Sequence, residues 1–587
     1  MNIFKFLSKK DYLSIIICIG LIVAQVWLDL KMPEYLNKVI DNASNPGHTL
    51  NDVLINGGLM LACAISSALL AVLTGFLTAK TSSRFSKSLR NGVFDKVQSF
   101  STEEIHKFST ASLITRSTND ITQIQMTVAM GLQVMIKAPI LAIWAICKIV
   151  NSSILWTSAT AIAVVAILIT VITVLIITLP KFRKMQKQTD DVNNVMREGL
   201  RGVRVVRAYN AENYQEEKFE KVNNNLYKTN IFTNSAMSIM MPIMMLCMSG
   251  LTLAIYIIAC YIFNDTSILA RGQVLGDMME FSSYALQVVM AFMLLIMVFI
   301  MLPRAITSAK RLNEVLFSKT SIQDGKITNI LNDLNENKIE FNNVSFKYPN
   351  AEEYVLKNIN LNINKGETIA FIGSTGSGKS TLINLIPRFY DVTEGEIKID
   401  GVNIKDYTLN ELHDKISYVS QKAVLFSGTV AENINFGEKQ NLNLTEEDML
   451  KALEIAQGKD FVLSLDKGLE SHIEQGGANL SGGQKQRISI ARAIARNADI
   501  YIFDDSFSAL DYKTDQKLRK SLKENMKNAT ILIVAQRIGT IKNADKIVVL
   551  ENGNAVGIGT HEELLQNCAV YKEIALSQLS KEELENE

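Results

Sequence analysis

A helical membrane domain with six spans, fused to an α/β domain that carries a phosphate loop, is the fold class this sequence predicts. Three observations carry the prediction. Apolar stretches long enough to cross a hydrocarbon layer of ~30 Å recur six times before residue 304 and never after it. From Lys338 onward, strand-like runs (TIAFIG, ISYVS, IYIFD, ILIVA, KIVVL) alternate with amphipathic helical stretches, the pattern of a mostly parallel sheet. Finally, FIGSTGSGKST places a Gly-rich loop between a strand and a helix.

Composition agrees. A chain of 587 residues is too long for one compact core. Hydrophobic residues make up 48% and charged residues only 20%, with a mean hydropathy of +0.14, which leans toward a membrane protein. The net charge of +1 gives no reason to expect nucleic acid. The six cysteines, five of them inside apolar runs, form no CxxC pair, so they read as inert thiols.

The predicted spans are 13–28, 53–79, 134–150, 154–179, 237–263 and 278–302. The N-terminal stretch has basic residues and then an apolar run, but no small-x-small cleavage site, and reads as a retained first span. Residues 80–125 carry seven Lys/Arg and residues 180–230 carry eleven, whereas the alternate connections are short or poor in basic residues. Positive charge prefers the cytoplasm, so the long loops, both termini and the C-terminal half are expected there, in a multi-pass membrane protein. Both long loops keep helical spacing, and a short crosswise helix is expected near 109–120 and again near 199–212. The expected division is a membrane domain over 1–318, a linker over 319–337, a nucleotide-binding domain over 338–575 and an acidic tail over 576–587.

The chemistry lies in the second half. Gly373, Ser374, Thr375, Gly376, Ser377, Gly378, Lys379 and Ser380 fit GxxxxGK[ST], and Thr381 follows. The glycines let backbone N–H groups curl around phosphates at a helix N-terminus, whose partial positive charge favours anions. Lys379 is expected to reach the β- and γ-phosphates and Ser380 to ligate Mg²⁺. A buried strand, IYIF, ends at Asp504, the carboxylate expected on the Mg²⁺ side of such a site. In NLSGGQKQRISIARA, Ser481 can cap a helix while Gly482 and Gly483 leave N–H groups bare, a second anion-binding surface.

At this point the chain resembles the ATP-binding-cassette transporters, and specifically a half-transporter of the exporter type. Leu480, Ser481, Gly482, Gly483 and Gln484 look like the LSGGQ signature. By the same resemblance Tyr348 stacks on adenine, and Gln421 touches Mg²⁺ and senses the membrane domain. Ser508, Ala509, Leu510 and Asp511 form the loop that crosses between cassettes. EQGGAN lies where family members meet the cytoplasmic loops, and GTHEEL (559–564) marks the usual end of the cassette. The resemblance implies two cassettes closing head to tail, each ATP held between the phosphate loop of one and the LSGGQ of the other. A second half-transporter chain is therefore the implied partner, together with membrane lipid. The crosswise helices gain a coupling role, which GLRGVRVVRAYNAE supports more firmly for the second.

Two positions depart from the family. Asp505 stands where hydrolysing members have a glutamate that polarises the attacking water, and Gln536 stands where they have the switch histidine that contacts the γ-phosphate and helps hold that water. Asp is one methylene shorter, and misplacement of about an ångström can cost ~10²-fold in rate. Glutamine can donate a hydrogen bond but cannot take up charge. Together the changes resemble the degenerate subunit of bacterial heterodimeric multidrug exporters, binding MgATP at its own site while its LSGGQ completes the competent one. A homodimer with slow ATPase remains open.

Substrate signals are thin. Twelve of the 22 methionines lie at positions 237–301, in the last two spans, where soft side chains suit a cavity for amphipathic compounds such as drugs. Lipid or peptide export, or import of a metal chelate, fits the same motifs. Asp29 and Lys31 are expected at the outer end of the first span, and Lys137 to snorkel toward the inner surface.

Overall fold

The computed structural model describes residues 2–44, 47, 49–150, 154–267, 271–328, 337–349, 351–437 and 444–578. Contacts divide the chain into two compact units, 1–98 with 110–318, and 99–109 with 319–587. The acidic tail expected over 576–587 lies outside the described residues from 579 on, as does the linker over 329–336.

The first unit is helical. Its long elements are α1 (Lys9–Ser44), α2 (Leu50–Gln98), α4 (Ile121–Val150), α5 (Ile154–Arg201), α7 (Glu212–Ser238), α8 (Met240–Asp265) and α9 (Arg271–Leu316). The short helix α6 (Val203–Ala208) belongs to this unit, whereas the short helix α3 (Thr102–Phe108) falls in the stretch 99–109 grouped with the second. Six stretches among the described residues are long and apolar enough to cross a membrane. The helix α2 has 49 residues, so at ~1.5 Å rise per residue it is more than twice as long as a ~30 Å hydrocarbon core requires. Its polar half therefore continues beyond the lipid.

Two expectations need correction here. A separate short helix, α3, lies at Thr102–Phe108, ahead of the 109–120 expected. Ser101 and Glu104 form a reciprocal capping box that starts it, and Ser109, at φ +59°, ends it. Residues 110–120 instead wind helically into α4, with Arg116 donating to the carbonyl of Arg311 and pairing with Glu314 at 2.8 Å. The second expected helix is present as α6. Nor does Lys137 snorkel: its Nζ lies 3.0 Å from Asp29 Oδ2, a partner 108 positions away. Lys31 pairs with Glu34, and α1 runs on to Ser44, well past both.

In the second unit, β1 (Asn337–Phe346), β2 (Leu356–Asn364), β4 (Glu394–Ile399) and β5 (Val402–Asn403) form an antiparallel sheet in the order β2-β1-β4-β5. The central sheet contains β3 (Thr368–Ile372), β6 (Ile416–Val419), β7 (Ile500–Asp504), β8 (Thr530–Val534), β9 (Lys546–Glu551) and β10 (Asn554–Gly559), ordered β10-β9-β3-β8-β7-β6. All its pairings are parallel except β9 with β10. Its strands are continuous apolar runs because both faces are covered. Ile369, Phe371, Ile500, Ile502, Leu532 and Val534 enter one core; Ala370, Ile372, Tyr501, Phe503, Ile531 and Ile533 enter the other. Cutting Phe503 to Ala would cost about 3–5 kcal/mol, the usual range for a buried aromatic.

Candidate nucleotide site

Four adjacent parallel strands end at one edge of the central sheet, and each delivers a residue there: the loop after β3, Gln421 after β6, Asp504 and Asp505 at the end of β7, and Gln536 after β8. Carboxyl ends of parallel strands are where open α/β sheets place ligands.

The loop is possible only with glycine at its ends. Gly373 has φ +155°, and a Cβ there would sit 2.1 Å from the carbonyl oxygen of Leu550. Gly378 has φ +99° and N-caps α10 (Lys379–Leu385). Ser374, Thr375 and Gly376 are exposed, and a Cβ on Gly376 would meet nothing within 4 Å, so the concave side is open. Lys379 is buried and donates to the carbonyls of Gly373 and Ser374 at 2.8 and 2.7 Å. Burial pulls its pKa below the ordinary lysine value, against the opposing pull of Asp505 and Asp504.

Asp504 accepts from Ser380 Oγ at 2.9 Å. The Tyr418 hydroxyl lies 3.0 Å from Asn384 Oδ1 and 3.3 Å from Asp504 Oδ2, so one proton is shared between two acceptors. Burial raises the pKa of Asp504, partly offset by the Ser380 and Tyr418 hydrogen bonds. Asp505 occupies the left-handed region at φ +46°, a conformation Asp tolerates better than most residues. Its Oδ2 accepts from both Gln421 Nε2 at 3.1 Å and Gln536 Nε2 at 3.0 Å. Burial raises its pKa as well, with the Gln421 bond the first opposing influence. Ser508 Oγ bonds the Asp505 carbonyl at 2.8 Å, tying the loop of Ser508, Ala509, Leu510 and Asp511 to the same corner. The Tyr348 hydroxyl lies 2.9 Å from Thr381 Oγ1, and its ring meets Tyr390 edge-on at 5.3 Å between centroids.

The signature residues lie elsewhere. Ser481 N-caps α11 (Gly482–Ala495), accepting from Gln484 N at 3.3 Å while its own N–H donates to Gln484 Oε1 at 2.8 Å. Gly483 faces the neighbouring loop: a Cβ there would lie 3.3 Å from the Ala509 carbonyl. Leu480 packs against the core. Among the described residues, no hydrogen bond, ion pair or ring contact joins residues 480–484 to residues 373–381.

Sequence reasoning missed Tyr418, Asn384 and Tyr390. Tyr418 belongs to the ISYVS run already read as a strand, and its place next to the IYIFD strand is the signal that could have found it.

Residues 15–292 match the family described as ABC transporter transmembrane region, and residues 356–508 the family described as ABC transporter. An ABC transporter ATP-binding protein of Mycobacterium tuberculosis (strain CDC 1551 / Oshkosh) is 36% identical over 549 residues, 94% of this chain and 93% of that one. A Staphylococcus aureus protein (strain NCTC 8325 / PS 47), provisionally named a multidrug export ATP-binding/permease protein, is 47% identical over 242 residues, 41% of each chain. A solved bacterial Atm1-family ABC exporter with ATP bound shares the fold at a TM-score of 0.80, with 22% identity, 98% of this chain and 100% of that chain covered. The chain belongs to the ABC transporter family, as a multi-pass membrane half-transporter with one membrane domain and one cassette.

Proposed function

We propose that this chain is the ATP-holding half of a two-chain exporter, with a nucleotide site that binds MgATP and hydrolyses it slowly. One observation carries the reading. The Asp505 carboxylate, a methylene short of the family's glutamate, has a single oxygen taken up by the amides of Gln421 and Gln536. An acceptor already engaged by two amides is poorly disposed to draw a proton from water, and the glutamine amide cannot take up charge.

The donor set suits Mg²⁺. A hydroxyl and a carboxylate oxygen 2.9 Å apart, Ser380 Oγ and Asp504 Oδ1, are hard ligands of the kind Mg²⁺ prefers. With Gln421 Nε2 turned to Asp505, the Oε1 of Gln421 remains as a third oxygen on that side. Bound there, Mg²⁺ would neutralise charge on the β- and γ-phosphates. The loop from Gly373 to Gly378 would cradle the phosphates with its N–H groups, Lys379 would turn from the loop carbonyls to the terminal phosphates, and Tyr348 would carry the base. Leu480, Ser481, Gly482, Gly483 and Gln484 would complete the partner's site across the interface, the exposed start of α11 offering its N–H groups to the partner's ATP.

In this reading the long loops and the cassette lie in the cytoplasm. Amphipathic small molecules are the proposed cargo. The name of the Staphylococcus relative supports this. Methionines also gather in a narrow apolar crevice, Met130 and Met135 from α4 beside Met297 and Met301 from α9.

The test is hydrolysis by the chain in lipid, with Lys379→Ala as background. Wild type should turn over little ATP, and Asp505→Glu with Gln536→His should raise the rate by ~10²-fold, the scale of an ångström-level misplacement. Robust turnover by the wild-type chain alone would overturn the slow-site reading and favour a working homodimer.

A further inference from the structure

Gln578 is the last residue of the C-terminal helix α14 (Ala569–Gln578), which follows α12 (Tyr512–Asn525) and α13 (Ile538–Ile541). Positions 571, 575 and 578 are spaced by four and three, so they share one helical face. Tyr571 and Ala575 on that face are buried in the core that also holds Ile538 and Ile541. From this anchored face Gln578 uses both ends of its amide. Its Oε1 accepts from Ile538 N at 2.9 Å, and its Nε2 donates to the Gln536 carbonyl at 2.7 Å.

Those two contacts bracket the turn that presents Gln536. Ala535 is still held by the sheet, donating to the Phe371 carbonyl at 3.2 Å, so Gln536 is the first residue beyond that support. The Ile538 N–H opens a short helix and has no partner within it. Gln536 in turn reaches Asp505 Oδ2 at 3.0 Å, where Gln421 also arrives. A chain of hydrogen bonds thus runs from the end of the C-terminal helix to the corner of the nucleotide site, through one backbone residue.

We infer that Gln578 is a positioning residue for the nucleotide site: by gripping the backbone on both sides of Arg537 it directs the Gln536 side chain toward Asp505 and toward the terminal phosphate of a bound nucleotide. This rests on the reading of Gln536 as the group that faces the γ-phosphate. A purely structural role, capping α13, predicts a change in stability alone. Positioning predicts a change in how well ATP is told from ADP, because only ATP has the phosphate that Gln536 meets.

The experiment measures equilibrium binding of ATP and of ADP, each with Mg²⁺, to the full-length chain in lipid, alongside its thermal midpoint. Gln536→Ala should lower the preference for ATP over ADP. Gln578→Ala should lower it about 3- to 10-fold, the range set by losing one hydrogen bond. Adding Gln578→Ala to Gln536→Ala should cost nothing further, since both act through one side chain. Gln578→Glu keeps the side-chain volume and an acceptor for Ile538 but cannot donate to the Gln536 carbonyl. It should reproduce the loss even if the alanine variant folds poorly. An unchanged preference in both Gln578 variants while Gln536→Ala lowers it, or additive effects in the double variant, overturns the inference and leaves the site reading standing. An unchanged preference in Gln536→Ala overturns both together.

Discussion

The membrane helices and the nucleotide site treat enclosed carboxylates in opposite ways. In the helical unit Asp29 meets Lys137 at 3.0 Å, Glu34 lies between Lys31 and Lys148, and Asp120 faces Arg311 at 3.4 Å. At the end of β7 two acids stand side by side, and hydroxyls and amides answer them instead. Lys379, a candidate cation, donates to loop carbonyls. Those membrane charges are settled within the fold, whereas the two acids of the nucleotide site wait for a cation from outside. Raised pKa values at both Asp504 and Asp505, caused chiefly by burial, record that unfinished state.

Breaking a settled pair should have the largest effect. Lys137→Met leaves Asp29 with Ser67 as its remaining partner and should cost about 2 kcal/mol, within the range for a hydrogen bond between charged groups. A heat-denaturation midpoint in lipid reads the loss, and adding Asp29→Asn should recover most of it. Equal losses in the single and double variants would mean that the pair does not hold the helices.

Removing an unsettled charge should do the reverse. Asp504→Asn should raise the nucleotide-free midpoint by roughly 2 °C, the shift that about 1 kcal/mol gives a domain of this size. The extra protection that Mg²⁺ adds to ATP should disappear in the same variant. A lower nucleotide-free midpoint would show that Asp504 is already compensated.

The smallest effect is a pH slope. Both acids titrate above the ordinary aspartate value of 3.8 when folded, so the folded chain holds their protons more tightly than the unfolded chain does. Their contribution to stability is greatest at and below that value and is lost as pH rises through the raised values. Between about pH 4 and 7, Asp504→Asn should therefore lose stability less steeply than wild type, judged by the difference in slope.

What could be read without coordinates follows the physics of each signal. The sheet was legible because a strand covered on both faces is a continuous apolar run, as in IYIFD and ILIVA. The phosphate loop was legible because Gly373 and Gly378 occupy backbone positions that a side chain would block. The pairing of Lys137 with Asp29 was not, since nothing in either helix states which neighbour its charge will face. The start of α3 was written in Ser101 and Glu104, but helical spacing on either side of 109 concealed the break. Tyr418 and Gln578 reach the site from strands and helices that read as plain scaffold, and only three-dimensional register reveals them.

The self-capped start of α11 bears on how fast two cassettes can meet. Ser481 and Gln484 already satisfy one another, so this helix end needs no nucleotide to take shape. Encounter then requires orientation but no folding, and association can proceed in the ordinary docking range of about 10⁵–10⁷ M⁻¹s⁻¹. The lifetime of the closed pair, rather than the speed of its formation, is then where a slow site would leave its mark.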